Sequence, residues 1–521
     1  MRPDAVINYP DFSRAEIVST MLGLMLGLFL AGLDQTIVAT ALPYIARDLN
    51  AWQSMGWIVT AYLVSSTAAT PIYGRLSDLY GRRPVVLVSV AIFIGASLLC
   101  ALSRTFPELI AARVLQGVGG GGLRSMALVV IADLVPPRER GRYQGYFAGV
   151  MTTANALGPI LGGFLAQELS WSWIFWINLP IGLVACALSS RHLVRLKAPS
   201  QRFAIDWIGA VLTVVAVTVM LIGIDELKKS ADWSSPFMIV LLGSGMACTA
   251  ALIWRERLAP QPMLPLHLFN NPIFVAGIAV TSLMSAMLVG LIVVIPLNYQ
   301  LVLGLSPSST GLRMIPLTSG TAVGSLIAGQ LVSRSGHYRL FVSIGAATAG
   351  LACVAIAETG LGFSPLFDVT MTGLLGLACG FQISPISVAV QNALHQEDTG
   401  VGMASLLLFR SLAGAIGVAL FSALLVGAIG LDAFAGPLHE ALGHSTVSHL
   451  SDPSSPLSAG SLTVLGDAFR FAFSRIFFGG TIIMAIAFCV ALSLREIPLQ
   501  KGTYDYPRDH GRQPSAGSET I

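Results

Sequence analysis

Charged residues are scarce in this chain of 521 residues, because Asp, Glu, Lys and Arg together make up only 11% of it. Soluble globular proteins usually carry about 25% charged residues, so the shortage excludes an ordinary soluble fold. Hydrophobic residues make up 54% of the chain and the mean hydropathy is +0.74. The formal net charge is only +3, and we expect no nucleic-acid partner. The composition predicts an all-α polytopic membrane protein embedded in a lipid bilayer.

Cysteine is also sparse, and its spacing excludes a disulfide framework or a cysteine metal site. The six cysteines all fall inside apolar stretches without paired spacing, at Cys100, Cys186, Cys248, Cys353, Cys379 and Cys489. Three histidines, His439, His444 and His449, lie in one long loop. They suggest metal binding only weakly, and a solvated loop is the preferred interpretation. We predict no metal site and no cofactor.

The chain lacks any Gly-x-x-x-x-Gly-Lys-Ser/Thr segment, which excludes an ATP-driven pump of the phosphate-loop type and leaves an ion gradient as the energy source. The run from Gly117 to Gly122 matches the dinucleotide fingerprint in its letters. That fingerprint requires a preceding strand, whereas this run lies inside an apolar helical segment. We therefore interpret these glycines as helix-packing positions and expect no enzymatic activity.

Apolar runs of roughly 19 to 27 residues predict fourteen membrane spans. The first is interpreted as a retained span, because no small-residue cleavage site follows it. The predicted spans are 17–41, 54–73, 84–103, 108–134, 143–166, 173–193, 206–225, 236–254, 272–296, 309–332, 340–358, 365–389, 401–429 and 471–494.

The distribution of Lys and Arg over the loops predicts that both termini face the cytoplasm. Alternate loops hold Arg75, Arg82, Arg83, Arg138, Arg140, Arg142, Arg191, Arg195, Lys197, Arg202, Arg255, Arg257, Arg334 and Arg339. The intervening loops hold only Arg47, Arg104, Lys228, Lys229 and Arg470. One predicted inner loop, containing Glu397 and Asp398, is acidic instead of basic.

A cluster of glycines and charges separates spans 2 and 3. It reads Gly74-Arg-Leu-Ser-Asp78-Leu-Tyr-Gly81-Arg82-Arg83, and it resembles the signature loop of the major facilitator superfamily. A weaker copy with the same glycine spacing, Gly329 to Gly336, follows span 10 and lacks the Asp. The duplication implies two parallel six-helix halves around a central path, with Gly74, Asp78, Gly81, Arg82 and Arg83 forming a gating loop.

Asp34 lies within span 1, and it is the only carboxylate near the membrane interior of the first half apart from Asp133, which sits at a span end. Ionisable groups inside spans tend to mark ion or substrate paths. Leu33-Asp34-Gln-Thr36-Ile37 and the residues up to Pro43 resemble the first-helix motif of fourteen-helix drug:proton antiporters. The resemblance implies that Asp34 acts in proton coupling or cation recognition. A purely structural role in helix packing is the alternative.

Arg113 and Gln116 are three residues apart, and therefore share one face of span 4. The segment from Leu109 to Gly119 resembles the superfamily's fourth-helix motif, whose Arg is associated with proton transfer. A nearby guanidinium favours a charged carboxylate, whereas desolvation favours a protonated one. Movement between these environments would make a proton switch, and a structural hydrogen-bonding role is the alternative. We assign no role to Arg124 on the same span.

Span 5 carries Gly149 and then Gly158-Pro159-Ile-Leu-Gly162-Gly163. This run resembles the antiporter motif that separates exporters from importers in the superfamily. Proline bends a helix, and glycines four residues apart allow close helix packing. We assign Gly149 to the same antiporter helix and expect Gly158, Pro159, Gly162 and Gly163 to seal one side of the path.

The second half offers Arg313 and Arg410 as interior charges, and the run Arg410-Ser-Leu-Ala-Gly414 again resembles the family. Some members carry an extra carboxylate in span 10, but this chain has none between Gly311 and Val332. That absence disfavours dicationic substrates.

We predict five regions: a cytoplasmic N-terminus (1–16), a six-helix half (17–193), two inserted helices (206–254) that pack peripherally, a second six-helix half (272–494) and a cytoplasmic tail (495–521) with a composition typical of disorder. The predicted function is proton-coupled multidrug efflux of amphipathic compounds, especially lipophilic monocations, by a monomer in a bacterial cytoplasmic membrane. An exporter of an endogenous metabolite or lipid is the alternative. A receptor or scaffold is disfavoured, and the need for a periplasmic adaptor stays open.

One further hypothesis explains the acidic inner loop. In the superfamily that this loop resembles, the Asp of the signature loop is proposed to hold the cytoplasmic gate shut by interacting with the start of the penultimate helix, which here is span 13. A helix N-terminus has unsatisfied amides and a partial positive charge, so the resemblance implies that Asp78 caps span 13 near Gly400 to Met403. Arg75, Arg82 or Arg83 would then pair with Glu397 or Asp398. The alternative is that Asp78 pairs with Arg82 or Arg83 in its own loop.

Overall fold

The computed structural model describes residues 14–51, 54–192, 206–230, 236–259, 264–305, 307–395, 398–435 and 459–499. Helices dominate this part of the chain. In chain order they are α1 (Arg14–Asp48), α2 (Gly56–Tyr80), α3 (Arg82–Leu102), α4 (Phe106–Leu134), α5 (Pro137–Glu168), the single turn α6 (Trp173–Trp176), α7 (Asn178–His192), α8 (Trp207–Ser230), α9 (Pro236–Leu258), α10 (Pro272–Leu301), α11 (Pro307–Ser335), α12 (Tyr338–Thr359), α13 (Pro365–Ala393), α14 (Thr399–Ala435) and α15 (Ala459–Ser493).

Ten helices in the described ranges are long and apolar enough to cross a membrane. Two further apolar segments, Trp173–Ser189 and Trp207–Gly223, are shorter. Each predicted span overlaps a helix, with span 6 divided between α6 and α7. The helices of predicted spans 2 and 8, α2 and α9, are not among these twelve apolar segments. The three histidines of the long loop lie outside the described residues, as do residues 1–13 of the predicted N-terminal region (1–16) and residues 500–521 of the predicted tail (495–521).

The glycine run of span 4 lies in the middle of α4, which is a continuous helix. A Cβ atom added at Gly119 would lie 2.5 Å from the backbone nitrogen of Phe93 on α3. One added at Gly117 would lie 2.5 Å from the carbonyl oxygen of Tyr62 on α2. The interpretation as packing positions is confirmed, because these glycines let two neighbouring helices approach the α4 backbone.

Two similar glycine turns follow α2 and α11. Gly81 has a φ of 89° and Gly336 a φ of 79°, in the region that favours glycine. Seven residues before each turn, Gly74 and Gly329 contact helices from elsewhere in the bundle. The repeated sequence cluster thus corresponds to a repeated local geometry.

Helices α8 and α9 pack against each other, and α8 also contacts α2 and α14. Val217 of α8 packs with Ala68 of α2 and Leu408 of α14. The described part of the insert therefore covers the contact between α2 and α14.

Candidate functional site

The centre of the candidate site is the carboxylate of Asp34, which α1 carries with no solvent exposure. Arg113 Nη1 donates a hydrogen bond to Asp34 Oδ2 at 2.6 Å. Gln116 Nε2 donates to the other oxygen, Oδ1, at 2.8 Å. Arg113 and Gln116 are three residues apart on α4, so one helix face presents both to α1. The structure brings together all three residues predicted for proton coupling.

Two residues that the sequence analysis did not select complete this network. Asn178 at the start of α7 donates to Asp34 Oδ1 at 3.3 Å. Ser97 Oγ on α3 accepts from Gln116 Nε2 at 2.7 Å and from Asn178 Nδ2 at 3.2 Å. An amide inside an apolar span was a usable signal for Asn178. Ser97 gave none, because small hydroxyl residues are common in membrane helices.

Arg113 is itself fully buried and held on several sides. Its Nε donates to the carbonyl oxygen of Ile58 at 3.0 Å, and its guanidinium lies 4.5 Å from the ring centroid of Tyr62. Removing one member of a buried ion pair costs about 3–5 kcal/mol, because the other charge is left uncompensated. Protonation of Asp34 would therefore favour a rearrangement around Arg113.

A second polar cluster lies at the turn between α2 and α3. The carboxylate of Asp78 accepts hydrogen bonds from the backbone N–H of Gly400 at 3.2 Å and of Val401 at 2.9 Å. These amides belong to the first turn of α14, so Asp78 caps that helix, as hypothesised from the sequence. Burial raises the pKa of Asp78 to about 6, although the neighbouring Arg82 opposes the increase.

Asp78 makes both of the contacts that the sequence left as alternatives: it caps α14, and it also pairs with Arg82 of its own turn. Arg82 Nη1 donates to Asp78 Oδ1 at 2.5 Å, and Arg82 Nε donates to Asp133 Oδ2 on α4 at 2.6 Å. The predicted pairing of Arg82 with Asp398 is wrong, because Arg82 is held by these two carboxylates and Asp398 pairs with His267 at 2.9 Å. Glu397 lies outside the described residues, and the side chain of Arg83 is exposed.

Backbone contacts close the same face of the bundle. A Cβ atom at Gly74 would lie 2.6 Å from the carbonyl oxygen of Gly400, and one at Gly141 on α5 would lie 2.6 Å from that of Gly329 on α11. Ser384 Oγ on α13 also donates to the Gly141 carbonyl at 3.0 Å. The helices of the two sequence halves are thus in direct contact at the face that holds the α2–α3 turn.

The glycines of span 5 divide into two pairs. A Cβ atom at Gly158 would collide with the side chain of Thr36 on α1, and one at Gly162 would collide with Thr40 and the Ile37 carbonyl. At Gly149 and Gly163 a Cβ atom would meet no other atom within 4 Å. The close packing predicted for Gly158 and Gly162 is therefore confirmed, whereas Gly149 and Gly163 make no such contact. The side chain of Pro159 is not among those that the structure describes.

Gly149 instead lines an open groove of about 510 Å³ between α1, α5 and α11. Its lining includes Met21 and Phe29 on α1, Tyr143 on α5 and Leu326 on α11. The absence of a side chain at Gly149 leaves room in this groove, which is a different role from helix sealing.

The two arginines predicted in the second half have different surroundings. Arg313 on α11 donates to Asp368 Oδ2 on α13 at 2.9 Å, and Asp368 is 1% exposed. The sequence analysis did not select Asp368, although a carboxylate four residues into a predicted span was visible. Arg410 on α14 makes no ion pair with the described residues.

A buried ion pair within a bundle of long apolar helices is the arrangement of a membrane transport protein, since such charges tend to mark a path for ions or substrates. The family model described as Major Facilitator Superfamily matches residues 24–418. The chain belongs to this superfamily, and is a multi-pass membrane transporter rather than an enzyme.

Relatives with multidrug names align over most of the chain. It is 30% identical over 471 residues to Multidrug resistance protein 3 of Bacillus subtilis strain 168, which covers 88% of this chain and 90% of the relative. It is 33% identical over 403 residues to Multidrug transporter protein MdtP of the same organism, with coverages of 77% and 74%.

The fold is similar to that of a solved human transporter. The crystal structure of the human organic anion transporter MFSD10 (TETRAN) superposes with a TM-score of 0.61 and 16% identity. The match covers 92% of this chain and 100% of the other. At this identity the likeness concerns the fold alone.

Proposed function

We propose that this protein is a proton-coupled antiporter that exports amphipathic compounds. The observation that carries the proposal is the buried network of Asp34, Arg113 and Gln116. A carboxylate that can exchange its partner Arg113 for a proton provides a coupling group inside the bundle. The multidrug names of the relatives support an export function of this kind.

The proposed architecture has fourteen spanning helices in two halves, α1 to α7 and α10 to α15, with α8 and α9 inserted between them. The repeated glycine turns after α2 and α11 support it. We place both termini in the cytoplasm of a bacterial cell and the protein, as a monomer, in the cytoplasmic membrane. The face with the α2–α3 turn is then the cytoplasmic face.

The sequence-based preference for cations needs a carboxylate that is free to meet the substrate. Asp34 is instead paired with Arg113 at 2.6 Å. We therefore leave the charge of the substrate out of this proposal and treat it separately below.

The direct test uses purified protein in liposomes with an imposed pH gradient and a panel of amphipathic fluorescent dyes. We expect dye to accumulate in the acidic lumen and to be released when nigericin collapses the gradient. Protein-free liposomes provide the baseline. Dye movement at the same rate with and without the pH gradient would contradict proton coupling. If none of the dyes is transported, the export function is contradicted.

Closure of the cytoplasmic face is proposed to depend on the Asp78 cap. Loss of a helix-capping side chain costs about 0.5–2 kcal/mol, so Asp78→Ala should shift the equilibrium toward an open face. We expect a cysteine at the buried position Met403, in a protein without native cysteines, to react about two- to thirtyfold faster with an impermeant maleimide. The measurement uses inside-out vesicles.

Arg83→Ala is the matched control for this experiment. Arg83 lies in the same turn, but its side chain is exposed, so its removal should leave the labelling rate unchanged. Equal rates in the Asp78→Ala protein and its parent would show that the cap does not hold the face closed.

A further inference from the structure

Two arginines, Arg124 on α4 and Arg410 on α14, lie close to each other near the middle of the bundle. Each is about 15 Å along its helix from the cytoplasmic end, which is half of a hydrocarbon core about 30 Å thick. Helices α4 and α14 are in contact, and the two guanidinium groups are close enough to interact electrostatically. Both side chains are partly exposed, so they border space that a ligand or water can reach.

Arg124 is held in place by neutral groups. Its Nη2 donates to Gln35 Oε1 on α1 at 2.8 Å, and more weakly to the Ala31 carbonyl at 3.4 Å. Its guanidinium lies 5.8 Å from the ring centroid of Tyr62, and its Nε is buried without a hydrogen-bond partner. These contacts orient the arginine without neutralising its charge.

Arg410 has even fewer partners. Its backbone carbonyl accepts a hydrogen bond from Ser285 Oγ, but its guanidinium has no hydrogen bond or ion pair with any described residue. The groups that interact with it electrostatically are Arg124 and Cys379, and neither is a carboxylate.

Two other arginines within predicted spans have the carboxylate partner that Arg124 and Arg410 lack in the described part of the chain. Arg113 pairs with Asp34 at 2.6 Å and Arg313 pairs with Asp368 at 2.9 Å. Both of these interior carboxylates are thus already engaged. Among the residues that the structure describes, Arg124 and Arg410 have no carboxylate partner, and their charges repel each other.

An uncompensated charge within a membrane is costly, and such charges normally pair or face water. An anion between Arg124 and Arg410 would remove their mutual repulsion and satisfy free donors on both. A cation at the same place would add a third positive charge. Guanidinium groups are also well suited to bind the oxygens of carboxylates, sulfonates and phosphates.

We propose that Arg124 and Arg410 form the substrate's charge-recognition site, and that the preferred substrates are amphipathic organic anions. This inference rests on the proposed export function and changes its predicted substrate class from cations to anions. Asp34 then serves proton coupling, while the charge of the substrate is recognised at a separate place, by Arg124 and Arg410.

The proposal has an energetic consequence for export. A proton moving inward and an anion moving outward each carry positive charge into the cell. Each charge moved through 100 mV is equivalent to about a fiftyfold gradient. We therefore expect an inside-negative potential alone to drive export of an anion.

The test uses three dansyl probes with permanent charge states, carrying a sulfonate, a neutral amide or a trimethylammonium group. Binding to the full-length protein in dodecyl maltoside is measured by energy transfer from tryptophan to dansyl. One added ion pair at an effective dielectric of 20 supports more than a tenfold effect, so we expect the sulfonate probe to bind at least about tenfold more tightly than the trimethylammonium probe.

Arg124→Gln and Arg410→Gln should each reduce this preference, and the double variant should abolish it. Arg410→Lys keeps the charge and should retain most of it, which separates charge recognition from a folding defect. Arg104→Gln, at an exposed position between α3 and α4, should change nothing. Equal binding of the charged probes, a preference for the trimethylammonium probe, or a sulfonate preference that survives the double variant would each overturn the proposal.

Transport of the same probes in liposomes separates this proposal from the export function. If no probe moves against its gradient while the arginine-dependent sulfonate preference persists, the export function fails and the anion site stands. If the trimethylammonium probe is exported and the sulfonate probe is not, the export function stands and the anion site fails.

Discussion

Asp34→Asn should abolish gradient-driven export while the protein still reaches the membrane. The substitution keeps the size of the side chain but removes its charge and its ability to exchange a proton. In the folded protein Arg113 and Gln116 both donate to this carboxylate, so the variant also leaves Arg113 without its counter-charge. One inward proton is worth about 2.3 kcal/mol per charge per 100 mV, or roughly fiftyfold accumulation. We expect the accumulation ratio to fall to one.

The measurement compares two modes of transport in liposomes. Uphill accumulation under an imposed gradient requires proton coupling, whereas exchange of labelled for unlabelled substrate at equal pH does not. Asp34→Asn should lose the first and retain some of the second. Undiminished uphill accumulation by this variant would refute the assignment of Asp34.

Asp368→Asn is the matched control, because Asp368 is also a buried carboxylate paired with an arginine. Its pair lies in the other half of the sequence, away from the Asp34 network. We expect this variant to keep coupled transport. If it lost coupling as completely as Asp34→Asn, the effect would reflect damage to any interior ion pair rather than the loss of a specific proton carrier.

Asp34 could be found from the sequence because a charge in an apolar span is conspicuous, whereas the uncharged Asn178 and Ser97 of its network were missed. Arg113 and Gln116 followed from helical spacing, which fixes which residues share a face. The cap by Asp78 was expected from the resemblance of its loop to the superfamily signature, and the unsatisfied amides of a helix N-terminus supply its physical reason.

Predictions that depended on the rotation of one helix against another were less successful. The sequence could not show that Arg82 would bridge Asp78 and Asp133, because this requires the relative positions of α2, α3 and α4. For the same reason no role could be assigned to Arg124. Its significance comes from the closeness of Arg410, which lies far away in the chain and is brought near only by the packing of α14.

The glycines of α5 show the same limit, since four of them look alike in the sequence and only two contact α1. We expect Gly158→Ala and Gly162→Ala each to impair transport severely. The added methyl group would collide with Thr36 in the first variant and with Thr40 in the second. Overpacking of this kind costs about 1–3 kcal/mol. To relieve the collision, α1, which carries Asp34, would have to move away from α5. Proton leak and dye retention in vesicles measure the result.

Gly163→Ala controls for the change in backbone propensity. Alanine favours a helix over glycine by about 1 kcal/mol at any interior position, so all three variants share that gain. At Gly163 the methyl group would meet no atom within 4 Å, and we expect tight, coupled transport there. The difference between Gly162→Ala and Gly163→Ala therefore isolates helix contact from helix propensity at adjacent residues. Normal transport by both Gly158→Ala and Gly162→Ala would show that the α1–α5 contact can yield without affecting the coupling site.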